Sequence, residues 1–241
     1  MIDITKIKGI IFDYGGTIDS NGKHWAEVLW EAYVENNVPV TKEQFREAYV
    51  YAERYLATNR VIEPEDNFHA LLKKKVNLQI SYLVDNGSLD RDEKINNYRL
   101  DISDQCYNFV RRLIKEETSI LTQLKQKYPM VLVSNFYGNV QAVLGDFDLL
   151  KYFDQIIESA VVGVRKPDPA IFGLGVEALN MPAQNIVVIG DSYAKDIVPA
   201  EKNGCLTIWL KGPGWEKDDD NATADVVITD FMELKTVFGL K

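Results

Sequence analysis

Cysteine is scarce in this sequence. Cys106 and Cys205 are the two present, far apart and outside any CxxC pair or Cys/His cluster, which excludes a disulfide framework and a structural zinc site. Both are expected as buried core thiols. Positive charge is short as well: Lys+Arg total 27 against 36 for Asp+Glu, a formal net charge of -9. Without a broad basic field the chain cannot neutralise a polynucleotide backbone, so no nucleic-acid partner is expected. Long apolar runs are missing too. No stretch approaches the roughly 20 residues of a membrane span, and the opening MIDITKIKGIIFDYGG has no apolar run of signal-peptide length behind a basic region. A cytoplasmic protein without membrane contact is the expectation. Internal repeats and low-complexity tracts are likewise absent, and the sequence is silent on oligomeric state.

At 241 residues and 46% hydrophobic content, there is apolar mass for one substantial core and a small helical unit beside it. Lys6 to Asp13 is a short β-branched run ending at a carboxylate and Gly15-Gly16, which reads as a buried strand entering a tight turn. From Trp25 the period becomes 3.6. Trp25, Val28, Leu29 and Tyr33 mark one helix; Phe45, Ala48, Tyr49, Ala52 and Leu56 mark another behind the cap-like Thr41. Two further stripes, from Phe68 to Leu83 and from Ile95 to Leu113, flank the turn Asp85-Asn86-Gly87-Ser88. The aromatic residues Trp25, Trp30, Tyr49 and Tyr55 sit at helical spacing and are expected mainly as packing, and Lys73-Lys74-Lys75 as a solvated helix face.

After Thr118, strand and helix patterns alternate, with strands expected at Met130 to Ser134, Gln155 to Ser159, Ile186 to Asp191, Leu206 to Leu210 and Asp225 to Thr229. This predicts an α/β fold with a doubly wound, mostly parallel, Rossmann-like sheet. The first strand needs the later ones as neighbours to bury both its faces, so the helical block is an insertion. The expected division is an α/β core of residues 1–19 and 117–241 around an all-helical unit of residues 20–116. Gly212 to Ala224, with Asp218-Asp219-Asp220, reads as a solvated loop.

In open α/β sheets ligands sit beyond the carboxyl ends of the strands. Polar residues follow four of the apolar runs: Asp13-Tyr14-Gly15-Gly16-Thr17, Ser134-Asn135, Lys166 before Pro167, and Gly190-Asp191-Ser192 with Asp196 five residues beyond Asp191. An acid, a hydroxyl, an amine and further acids, each after its own strand, match the needs of phosphoryl transfer: a nucleophile, positive charge on the phosphate oxygens, and donors to hold them. Asp13 is the candidate nucleophile. Asp191 is a candidate Mg2+ ligand beside it, with a carbonyl of the turn completing the protein's share of an octahedral site. Lys166 and Ser134, with nearby backbone N–H groups, are candidate phosphate binders.

At these positions the sequence resembles the haloacid dehalogenase-like superfamily, whose motifs are Asp-x-Asp-x-Thr, a Ser/Thr after a strand, a Lys, and Gly-Asp followed by a further Asp. The resemblance spans nearly the whole chain, with close matches at Gly190-Asp191-Ser192 plus Asp196 and at Lys166-Pro167-Asp168-Pro169. It implies that Asp13 is the nucleophile and that Lys166 is catalytic and binds phosphate together with Ser134 and Asn135. It implies a Mg2+ site made by Asp13, the Gly15 carbonyl, Asp191 and Asp196, with Asp196 either in the metal's shell or orienting Lys166, a small phosphorylated substrate, and a helical cap over the site. The sequence departs from the pattern at Gly15, where the family's phosphatases carry the aspartate that protonates the leaving group and activates water. General acid/base help is worth roughly 100- to 10,000-fold. His24 and Asp19, near the cap entry, are candidate donors in its place. Alternatives implied by the same resemblance are haloacid dehalogenation without a metal, phosphonoacetaldehyde hydrolase-like chemistry through a cap lysine such as Lys42 or one of Lys73-Lys74-Lys75, and a non-catalytic phosphate- or Mg2+-binding module.

Overall fold

In the computed structural model, which describes residues 3–212 and 222–241, the first apolar run forms strand β1 (Gly9–Phe12), buried along its whole length. It is followed by β2 (Met130–Ser134), β3 (Gln155–Glu158), β4 (Ile186–Gly190), β5 (Leu206–Leu210) and β6 (Val226–Ile228). These make one six-stranded sheet in the order β3-β2-β1-β4-β5-β6, and every pairing is parallel. The fold is the expected α/β architecture, a parallel Rossmann-like sheet with helices on its faces. Several strands stop one residue short of their sequence-based ends, because the polar residue that closes each apolar run has already left the ladder: Asp13, Ser159 and Asp191 lie just beyond β1, β3 and β4. Residues 213–221 of the expected loop, including Asp218-Asp219-Asp220, lie outside the described residues.

Side chains alternate across the sheet as the strand period of two requires. Ile10, Phe12, Leu132, Val187 and Ile189 face one cluster, shared with α5 (Val140–Asp146), α9 (Leu234–Phe238) and the cap helices. Ile11, Val131, Val133 and Val188 face the other, under α7 (Ala170–Leu179). Gly175 lets α7 lie close to the sheet: a Cβ there would come within 2.8 Å of Ile11 Cδ1 and 3.1 Å of Val133 Cγ2.

Between β1 and β2 stand α1 (Trp25–Glu35), α2 (Lys42–Thr58), α3 (Phe68–Asp85) and α4 (Ile95–Lys125). Thr41 opens α2 with a capping box to Gln44, which satisfies otherwise unpaired donors at the helix start. The 31 residues of α4 reach roughly 45 Å at 1.5 Å per residue. The helix buries Ile102, Cys106, Val110 and Ile114 along its first two thirds and Ile120, Leu121 and Leu124 in its last turns, all in the one cluster that also holds the sheet residues Ile10, Phe12 and Leu132. Both cysteines are buried. The lysine run is not one solvated face. Lys73 is exposed, Lys74 bonds Asp66 and the Val61 carbonyl, and Lys75 is 6% exposed and pairs with Glu53 at 2.7 Å. The reason is periodicity: Lys75 lies three and four residues from Leu72 and Leu71 and shares their inward face. Among the described residues no helix is long and apolar enough to cross a membrane.

The α7–sheet contact has no room for an added methyl. Gly175→Ala is expected to lower unfolding free energy by about 1–3 kcal/mol in urea titrations, and an unchanged midpoint would show that α7 can move away at no cost.

Candidate active site

The strand order places β1 beside β4, while the chain runs from β1 to β2 on one side and from β4 to β5 on the other. That divergence opens a crevice beyond the carboxyl ends of β1 and β4, where Asp13 and Asp191 stand. The Asp13 N–H still donates to Ile189 O at 2.9 Å, so the backbone holds this residue while its carboxylate leaves the sheet. Beyond it the chain folds tightly around one acceptor, the Tyr14 carbonyl, which takes the N–H groups of Thr17, Ile18 and Asp19. Gly16 is needed there twice over. Its φ is +100°, and a Cβ would overlap the Asp191 carboxylate.

Lys166 reaches into the crevice from the loop before α7. Its Nζ donates to Asp13 Oδ1 at 2.5 Å and to Asp196 Oδ1 at 2.7 Å, and all three residues are buried. Asn135 fixes the lysine's backbone: it accepts from Lys166 N–H at 2.9 Å and donates to Lys166 O at 3.0 Å. The Asn135 side chain, expected to bind phosphate, here holds the backbone of Lys166. Asp196 lies on a π-helical turn (Tyr193–Ile197), and its second oxygen accepts from Ser192 N–H at 3.0 Å. Asp191 is held from behind, since Trp209 Nε1 donates to its carbonyl at 2.8 Å. The Thr17 hydroxyl lies 3.0 Å from Asp13 Oδ2 and 3.3 Å from Asp191 Oδ1, with one proton to give to either. Thr17 stands in the turn-rich run after Asp13, but its bridging role is visible only once β1 and β4 are neighbours. Ser134 Oγ, at the end of β2, is buried without a hydrogen-bond partner among the described residues.

Asp13, Asp191 and Asp196 can each offer an oxygen within 4.8 Å of the others. Burial raises the pKa of Asp191, as do the carboxylates of Asp196 and Asp13. Burial also raises Asp196, against the opposing pull of Lys166. Burial disfavours the Lys166 ammonium, yet the Asp13 and Asp196 carboxylates outweigh it and hold the group above the ordinary lysine range. Three carboxylates against one ammonium leave an excess of negative charge in a hard-oxygen donor set, which fits a divalent cation such as Mg2+.

Residues 7–204 match the family model described as haloacid dehalogenase-like hydrolase. The chain belongs to the haloacid dehalogenase-like hydrolase family. This hydrolase is 26% identical to the phosphoglycolate phosphatase of Pectobacterium atrosepticum over 99% of its own length and 95% of the relative's. It is 33% identical to the Escherichia coli 5-amino-6-(5-phospho-D-ribitylamino)uracil phosphatase over 120 residues, 50% of this chain and 48% of that one. Matches to curated relatives at 30% identity or above span about half of the relative's length or less. Among solved structures, the hydrolase YfnB of Bacillus subtilis bound to magnesium superposes with a TM-score of 0.61 at 20% identity, covering 97% of this chain and 99% of that one.

Of the two candidate donors near the cap entry, His24 uses Nδ1 to accept from Ala26 N–H at 3.2 Å as the N-cap of α1. Burial lowers its pKa, which favours a neutral ring. Asp19 is 1% exposed. Its Oδ1 accepts from Gly16 N–H at 2.7 Å and its Oδ2 from Trp25 Nε1 at 2.8 Å. Burial pushes the Asp19 carboxyl up to about 7, against the pull of those two bonds.

A carboxyl raised in the folded state contributes stability that is complete below its unfolded pKa near 4 and is lost as pH rises toward 7. In the hydrolase without divalent ions, wild type is therefore expected to lose on the order of 3 kcal/mol relative to Asp19→Asn between pH 4 and pH 7. Parallel stability curves for the two proteins would show that Asp19 is not held protonated.

Proposed function

We propose that this hydrolase is a phosphohydrolase of small phosphorylated metabolites that works through an aspartyl-phosphate on Asp13. In this reading residues 1–19 and 117–241 are the catalytic core and residues 20–116 the cap. The observation that carries it is the buried Asp13–Lys166–Asp196 chain at the β1/β4 crevice, with Asp191 beside it. Asp13, Asp191, Asp196 and the Gly15 carbonyl would hold Mg2+, which when bound supplies positive charge to the phosphate oxygens and the attacking carboxylate.

Asp13, oriented by Thr17 and Lys166, attacks phosphorus in line with the leaving oxygen. Lys166 neutralises charge on the transferring group, and the unpartnered Ser134 hydroxyl donates to one of its oxygens. The relatives named as phosphatases support this class of substrate. Lys75 does not support Schiff-base chemistry. Burial disfavours its ammonium, but Glu53 outweighs that and keeps the group well above the usual lysine range, so no neutral amine is on offer.

Three measurements test the reading. Turnover of aryl and alkyl phosphates should require Mg2+ and fall at least 1,000-fold in Asp13→Asn, as expected when a covalent nucleophile is lost. Turnover that survives in Asp13→Asn would refute it. Mg2+ at 100 times its Kd should stabilise wild type by about 2.7 kcal/mol and leave Asp191→Asn nearly unaffected; equal stabilisation of both would move the metal elsewhere.

A further inference from the structure

Where α3 gives way to α4, the cap holds a cavity of about 290 Å³ that shares no residue with the Asp13–Asp191 crevice. Helical spacing sets its polar walls. Ser81 and Asp85 are four apart on α3, and Asn96 and Arg99 three apart on α4, so each pair shares one helix face. Arg91 and Asp92 come from the connecting turn. Arg91 Nη2 and Asp85 Oδ1 form an exposed ion pair at 3.3 Å. Arg99 is placed differently. It is half-buried, its Nη2 donates to Ser81 Oγ at 3.1 Å, and Asn96 Oδ1 lies 3.5 Å from its Nη1. Its Nε is buried with no hydrogen-bond partner among the described residues. Only neutral oxygens reach this guanidinium: among the described residues no carboxylate lies within 4.0 Å of it. Asp92 is the converse case. Its Oδ1 accepts from Lys94 N–H at 2.8 Å, and among the described residues no cationic side chain lies within 4.0 Å of it.

We propose that this cavity is a binding site for a small zwitterion of the α-amino acid class, with its carboxylate on Arg99 and its ammonium on Asp92. A guanidinium carries five donors and no acceptor, and carboxylates are the acceptors that fit its planar fork. Arg99 lines the cavity with donors to spare and no anion of its own. A simple anion entering here would meet the Asp92 carboxylate, and a simple cation would meet Arg99. A molecule that carries both charges a few bonds apart satisfies both walls at once, while the Arg91–Asp85 pair neutralises itself. The helix adds to the preference at the carboxylate end: α4 begins here, and its N-cap Lys94 supplies no side-chain cap, so the positive end of the helix dipole is left for an anion. The volume is at the small end of ligand pockets, which suits a molecule of amino-acid size. Val84 and Ile95 also line the cavity and offer its side chain an apolar surface. The site stands whatever reaction the crevice performs.

The test is isothermal titration calorimetry of the full chain with each proteinogenic amino acid in turn, and with acetate and ethylammonium as single-charge controls. Wild type should bind at least one amino acid with a Kd of about 1 mM or tighter, and neither control at that strength. Arg99→Met and Asp92→Asn should each weaken that binding by about 10- to 100-fold, the range expected when a charged hydrogen-bond partner is removed. Asp13→Asn should leave it unchanged, because the crevice is a different place. No binding of any amino acid by wild type would overturn the proposal. So would acetate or ethylammonium binding as tightly as the amino acid, since the site would then not require both charges. Undiminished binding in Arg99→Met and Asp92→Asn, or binding lost in Asp13→Asn, would put the ligand elsewhere and overturn it equally. Where Arg99→Met folds poorly, Asp92→Asn decides alone, because Asp92 is exposed on the turn.

Discussion

The site is organised around one buried ammonium. Lys166 sits between Asp13 and Asp196 with short bonds to each, and that arrangement dictates much of what surrounds it. Buried charges are tolerated only in pairs, and removing one partner of such a pair costs roughly 3–5 kcal/mol. The lysine backbone is accordingly clamped on both sides by Asn135, and Asp196 is tied to Ser192 N–H. Gly190 has to be bare because a Cβ there would come within 2.5–2.7 Å of Asp196 side-chain atoms. Gly16 has to be bare because Asp191 occupies the corresponding space on the β1 side. The glycines next to these acids are thus consequences of packing several carboxylates around one cation.

The same constraint explains the excess of negative charge. One ammonium cannot balance the three clustered carboxylates, and their mutual repulsion and burial raise Asp191 and Asp196. A cluster of this kind could hold a divalent cation. Asp19 stands apart from the cluster. It is buried against the turn and the cap, bonded to Trp25 and not to Lys166, so its proton is governed by desolvation more than by the ion pair. Two carboxyls within one short turn thus sit in different surroundings, Asp13 against the Lys166 ammonium and Asp19 against the turn and Trp25.

Much of this was legible in the sequence, for identifiable reasons. Strands buried on both faces read as unbroken apolar runs, and β2 closes on Ser134 while Asp13 and Asp191 stand just beyond β1 and β4, so these three positions stand out in the sequence. Lys166 and Asp196 follow from order and spacing. What escaped depends on contacts between distant segments. Thr17 bridges Asp13 and Asp191 only because β1 and β4 pair. The bonds of Asn135 to the Lys166 backbone exist only because the loop before α7 lies against the end of β2. Lys75 looks solvated when its neighbours are read as a charge run, although its phase with Leu71 and Leu72 marks it as inward. Asp19 was visible as an acid near the gap left by Gly15, but its orientation comes from Trp25 and Gly16 N–H, which no spacing rule reports.

The central claim is that the Asp13 carboxylate becomes covalently bound to phosphorus. Its most direct test is rapid acid quench of the enzyme during turnover of a 32P-labelled phosphate monoester with Mg2+, followed by peptide mapping. The account expects acid-stable, hydroxylamine-labile label on the peptide that contains Asp13, formed at least as fast as product. Turnover with no label on that peptide, or with label on another residue, would contradict it.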